Sequence, residues 1–215
     1  MKSLFKSACA LTILALWAAP ARAAEKMVAE EGAVEIVLLR QQSIQKELKL
    51  SADEVEKIHK YAAQQWEKAQ KVHELSGAER DKKFMEMSKE NESFVEKTLK
   101  KDQLKRLHEI TLQTAGILCL TRPAVASKLK LTDEQKKKAH QLQKEARREA
   151  EEFVHATKKE EKRTKLRELQ ETSRKDILEL LTDEQEITWK QMTGSPFTGD
   201  LAFFDPDSAD KTAGK

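Results

Sequence analysis

Glycine and proline number only 6 and 4 in 215 residues, and no stretch alternates β-branched and polar residues with period two. This leaves little of the turn and strand chemistry that an all-β fold needs. Cysteine is almost missing. Of the two, Cys9 lies in an N-terminal targeting stretch, so Cys119 is left alone and an intramolecular disulfide is excluded. Cys119 sits in the apolar run Ala115-Gly116-Ile117-Leu118-Cys119-Leu120, where a buried small hydrophobe is a better reading than a reactive or chain-linking thiol. Aromatics make up 5% of the chain, so a core has to be built from Leu, Ile, Ala and Met stripes. No GxSxG, HExxH, CxxC or glycine-rich phosphate loop occurs. Carboxylates are plentiful but lie among charges of both signs, and none is singled out for desolvation. An enzyme is not expected, nor a cofactor.

No apolar run reaches the ~20 residues of a membrane span. The run Ala8 to Ala19 follows Lys2 and Lys6 and precedes Ala21-Arg22-Ala23, the pattern of a signal peptide with an A-x-A cleavage site after residue 23. A periplasmic or secreted protein follows, without stable membrane insertion after cleavage. Cys9 precedes most of the run instead of following it, which argues against a lipid anchor. Removing Lys2, Lys6 and Arg22 from the 40 basic residues balances them against the 37 acidic ones. A nucleic-acid partner would want a net basic face, so none is expected. Charged residues at 36% interleave both signs, as on solvated helix surfaces with i, i+4 pairs.

What the chain does have is repetition. Leu131-Thr132-Asp133-Glu134-Gln135 returns letter for letter at Leu181-Thr182-Asp183-Glu184-Gln185. Thr132 and Thr182 suit the N-cap, with Gln135 and Gln185 reaching back to it, so each pentapeptide reads as a capping box that opens a helix. Asp and Glu in the first turn favour the positive end of the helix dipole. Weaker copies stand upstream at Leu50-Ser51-Ala52-Asp53-Glu54 and Leu99-Lys100-Lys101-Asp102-Gln103. A shift of about 81 residues brings Ser51 onto Thr132, Ile44 onto Val125 and His59 onto His140. A shift of about 82 brings Leu99 onto Leu181, Gln103 onto Gln185, Leu107 onto Trp189 and Ile110 onto Met192. The expected fold is all-α: two repeated helical-hairpin units in an extended, thin helical layer.

Paired LTxxQ motifs in a small, charged, exported helical chain resemble the Spy/CpxP family of periplasmic proteins. Leu38-Leu39-Arg40-Gln41-Gln42-Ser43 and Trp189-Lys190-Gln191-Met192-Thr193-Gly194-Ser195-Pro196-Phe197 resemble a planctomycete-type variant. The resemblance spans residues 33–198. It implies an ATP-independent chaperone-like protein of the envelope that holds unfolded or partly folded envelope proteins. It also implies a cradle made from two hairpin units, here either a monomeric pseudo-dimer or a homodimer. A periplasmic metal or stress sensor acting on a membrane regulator, or a structural helical scaffold, are the alternatives.

In order along the chain, residues 1–23 are read as signal peptide, 24–32 as a flexible leader and 33–119 as the first repeat. Residues 120–123 are read as a linker, 124–195 as the second repeat and 196–215 as a flexible tail. The apolar stretch from Ala33 to Leu39 reads as continuing in a helix to about Leu48, and Ser51 then caps a helix with Val55, Ile58, Ala62, Trp66, Ala69 and Val72 on one face. Ser76 and Glu79 form a further candidate box. Leu104, Leu107 and Ile110 stripe the next helix, and Pro123 suits a first helical turn. The charged stretch Lys158 to Lys165 reads either as a hairpin tip or as the middle of a long exposed helix. Trp66, Phe153 and Trp189 read as core by default. Phe84, Met85, Met87 and Phe94 form a candidate client surface, since thioethers adapt to many shapes. His59 and His140 lack a His or Cys at i+4, so a metal site is not expected.

The exported protein should begin at Ala24. N-terminal sequencing checks this, and recovery of residues 1–23 in a membrane fraction would instead show an uncleaved anchor.

Overall fold

A computed structural model describes residues 26–154, 159–199 and 201. The stretch expected to be a signal peptide, residues 155–158 and the residues beyond Leu201 lie outside the described residues. All regular structure among the described residues is helical. Two compact units divide it: the first runs to Gln113 and takes in Met192–Leu201, and the second is Thr114–Gln191.

The first unit is built from α1 (Lys26–Leu39), α2 (Gln42–Glu47), α3 (Ala52–His73), α4 (Gly77–Thr98) and most of α5 (Lys101–Ala115). α1 packs along α4 and against α2 and α3. The pair α3 and α4 runs antiparallel: Tyr61 donates to Asn91 at 3.0 Å, and Lys68 meets Glu90 at 2.7 Å. Leu38, Ile44, Ile58, Val95, Leu107 and Ile110, one or two from each helix, are wholly buried. Burial of side chains this size contributes about 1.5–3 kcal/mol each.

In the second unit a 3-10 turn (Gly116–Cys119) leads through Leu120 to α6 (Pro123–Leu129), α7 (Asp133–Val154), α8 (Lys159–Leu180) and most of α9 (Asp183–Thr193). α7 and α8 pack on each other, and the 3-10 turn packs on both. Gln135 at the start of α7 reaches the carbonyl of Leu180 at the end of α8, so the chain reverses between them. Of the charged stretch Lys158 to Lys165, residues 159–165 open α8, and residue 158 lies outside the described residues. On α7, Ala139 stands where α3 has Ile58, and Ala146 where it has Gln65. The same helix carries a buried polar bridge, in which Gln143 donates to the Ile117 carbonyl at 2.9 Å and accepts from the Thr121 hydroxyl at 3.1 Å. Cys119 is wholly buried.

Some backbone bonds recur between the two units at the offset of the letter matches. Leu50 N–H donates to Gln45 and Lys49 N–H to Lys46, and 81 residues later Leu131 donates to Ala126 and Lys130 to Ser127. Each pair is a Schellman close, with Lys49 at φ 51° and Lys130 at φ 53° in the left-handed region. Helices α3 and α7 have the same length and the same 81-residue offset, while α4 and α8 match at 82.

Four local expectations need correction. The helix begins at Lys26, inside the stretch expected to be a loose leader, because Met27, Ala29, Glu30 and Glu31 are good helix formers and α1 docks on α4. It does not continue to Leu48; it breaks at Arg40 and restarts at Gln42. Ser76 makes no side-chain cap bond, and a positive φ of 28° at Gly77 turns the chain into α4 instead. Pro196 and Phe197 are not loose tail, since Phe197 N–H is held by Gln113 at 2.8 Å.

A lysine in the left-handed region costs about 1–2 kcal/mol that glycine would avoid. Lys49→Gly and Lys130→Gly should each raise stability by roughly 0.5–1 kcal/mol once the entropy of glycine is counted. Urea unfolding checks this, and a loss would mean that the lysine side chains hold the turns.

Candidate functional site

Where α7 and α9 begin, the LTxxQ residues form one closed set of bonds. Gln135 Oε1 accepts from Thr132 N–H at 3.0 Å while the Thr132 hydroxyl accepts from Gln135 N–H at 3.2 Å. Thr182 and Gln185 repeat this at 3.0 and 3.4 Å. The two amides then bond to each other, Gln135 Nε2 to Gln185 Oε1 at 2.7 Å and Gln185 Nε2 to Gln135 Oε1 at 3.0 Å. Gln135 gives its other hydrogen to the Leu180 carbonyl at 2.9 Å. Leu131 and Leu181 are buried. Each glutamine thus caps its own helix and ties it to the other. The polar atoms of the motif are engaged with one another, which suits a structural tie better than a ligand site.

The first unit has an altered version of the same tie. Ser51 and Glu54 complete a capping box, with Ser51 N–H donating to the carboxylate at 2.7 Å. Lys100 has no hydroxyl, so only the return half forms at α5, where Lys100 N–H donates to Gln103 Oε1 at 2.8 Å. Gln103 Nε2 reaches the Leu48 carbonyl at 3.3 Å and Glu54 at 3.4 Å. Leu99 is buried and Leu50 half-buried. The Ser51 N–H first, then the Ser51 hydroxyl, Gln103 and Lys100, hold the Glu54 carboxyl below its ordinary range against a smaller opposing effect of burial.

The candidate client residues do not share one exposed face. Met85 is 42% exposed. Phe84 and Met87 are half-buried on the same helix, as is Phe94, which stacks on Tyr61 with ring centroids 3.7 Å apart. Burial and then Glu90 push the Tyr61 hydroxyl up to about 12, so it stays a donor to Asn91. Trp66 is half-buried and Trp189 buried. His59 is half-buried on α3 and His140 is exposed on α7. Among the described residues no cluster of His, Cys, Asp and Glu could hold a metal ion, and no helix is long and apolar enough to cross a membrane.

Two polar anchors were not visible in the sequence. Gln113 donates to the carbonyls of Thr193 at 2.6 Å and Ser195 at 2.9 Å, and Arg106 donates to the Ser195 carbonyl at 2.8 Å while pairing with Glu47 and Glu109. Gly194, at φ 64°, lies so close to the Glu109 carboxylate that a Cβ there would collide with it. Glu35 is buried with Oε1 at 3.1 Å from His108 Nε2. Of these, only Glu35 carried a signal, as a charge inside the apolar stretch Ala33 to Leu39.

Comparison with known protein families, with curated proteins and with solved structures yields no match.

Gln135→Ala and Gln185→Ala should each lower stability by about 1 kcal/mol, and the double variant should lose less than the sum by roughly 0.5–1.5 kcal/mol, since either change breaks the shared pair. A double-mutant cycle in urea checks this; strict additivity would mean that the amides do not act together. The lowered carboxyl of Glu54 contributes stability above its ordinary range near 4.5, and that contribution is lost as pH falls through the lowered value. Glu54→Gln should flatten the acid limb of the stability profile, as followed by helical circular dichroism.

Proposed function

We propose that this chain is an exported, ATP-independent binding protein that holds partly unfolded envelope proteins on a helical surface, as its likeness to the Spy/CpxP family implies. The carrying observation is the divergence between the repeats on α4. Met85 stands 42% exposed where the 82-residue equivalent is Arg167, and Phe84 and Phe94 stand where the other repeat has Leu166 and Asp176. The second repeat does without methionine and aromatic residues at these positions, so the helical hairpin does not require them. An exposed thioether flanked by Lys82, Lys83, Glu86 and Lys89 offers an adaptable apolar contact inside a soluble, mixed-charge surface.

The protein is read as a binder and not an enzyme, acting in the periplasm or outside the cell. Its two repeats suit a single chain that supplies both halves of the cradle, with a homodimer as the competing assembly. Sedimentation under reducing conditions separates the two.

The purified protein should suppress light scattering by a denatured, aggregating client at near-stoichiometric ratios without ATP. Met85→Arg, which installs the residue of the other repeat, should weaken suppression several-fold without lowering the melting temperature. Full suppression by Met85→Arg would remove this surface from the reading, and no suppression by the parent protein would remove the chaperone reading itself.

A further inference from the structure

One side-chain amide in the first unit fixes the protonation state of a histidine. Gln45 Nε2 donates to the Leu39 carbonyl at 2.9 Å and lies 3.2 Å from His59 Nε2. The Leu39 bond sets which end of the amide is nitrogen, because the amide oxygen in that place would face another oxygen. An amide nitrogen only donates, so His59 Nε2 has to accept, and the ring is neutral with its hydrogen on Nδ1. Gln45 on α2 thereby joins the end of α1, where Leu39 is wholly buried, to His59 on α3.

The surroundings favour the neutral ring. Burial, and then the positive charge of Arg40, hold the His59 pKa below its ordinary 6.5. The nearby acids on packed helices are engaged elsewhere: Glu35 of α1 by His108 of α5 at 3.1 Å, and Glu47 of α2 by Arg106 at 2.7 Å. On α3 itself, Glu56 and Lys60 are exposed. The second unit has no counterpart to this arrangement, since Ala126 replaces Gln45, Thr121 replaces Arg40, and the equivalent His140 is exposed.

We propose that Gln45 and His59 form an acid-released latch, in which protonation of His59 turns its accepting nitrogen into a donor facing the Gln45 amide and frees the corner joining α1, α2 and α3. No covalent step is involved; one proton is taken from solvent. The neutral ring contributes stability above pH 6.5, and this is lost as pH falls through the lowered value of the folded state. Release would loosen Leu38, Leu39 and Ile44, all wholly buried in the closed corner, and so present new apolar surface at acid pH. The inference does not depend on the client-binding reading.

The test is hydrogen exchange by mass spectrometry on the full chain at pH 7.5 and 5.5, corrected for the intrinsic rates, comparing residues 38–50 with the equivalent 119–131. Protection of residues 38–50 should fall several-fold more than that of 119–131. The difference should vanish in His59→Gln, which stays neutral. An equal fall in both segments, or a fall that persists in His59→Gln, overturns the latch. Should that variant fold poorly, nitrogen and carbon NMR of the unaltered protein decides. A His59 ring with its hydrogen on Nδ1 that titrates below 6.5 supports the latch, and a hydrogen on Nε2 or a midpoint at or above 6.5 refutes it.

Discussion

A helix begins with backbone N–H groups that have no partner inside it, and in the second unit two helices begin against one another. Whatever caps α7 has to coexist with whatever caps α9. Glutamine solves both problems at once, because its oxygen can take the cap N–H while its nitrogen crosses to the other helix. The rest of the unit follows from that junction. Leu131 and Leu181 are buried beside the caps, Gln135 also secures the end of α8, and the α7–α8 hairpin is closed at its base. A serine–glutamate box would cap α7 as well, but it would carry no hydrogen to its neighbour.

The first unit makes that comparison within the same chain. Glu54 accepts from Ser51 and from Gln103 and donates to neither, so the tie runs one way and depends on a charge. At one matched position the first unit buries the larger side chain, Ile58 against Ala139, while its Val95 and Leu107 are matched by the buried Ile177 and Trp189. Met85 and the Tyr61–Phe94 stack belong to the α3–α4 pair of the first unit.

The starts of α3, α7 and α9 were legible because capping is local: Ser51, Thr132 and Thr182 each act on a residue three positions away. Pro123 at the start of α6 was legible for the same reason. The 81- and 82-residue offsets were legible as letter matches, and the backbone bonds follow them. The Schellman closes at Lys49 and Lys130 were not, since lysine gives no hint of a positive φ. Nor were Gln113 and Arg106, whose partners are backbone carbonyls 80 to 89 residues downstream with no side-chain signature. His59 gave only a repeat position and Gln45 no signal; their meaning depends on the Leu39 carbonyl that Gln45 also meets.

The hold of Gln113 and Arg106 on Thr193, Ser195 and Phe197 makes the first unit discontinuous along the chain. During synthesis, α1 to α5 emerge early, yet the segment that completes their unit is made only after the whole of the second unit. The half that is encoded first is therefore finished last. Until then Gln113 and the one Arg106 donor that meets Ser195 lack this segment, and the nascent chain carries an unfinished N-terminal half past the point where its later twin can already close on itself.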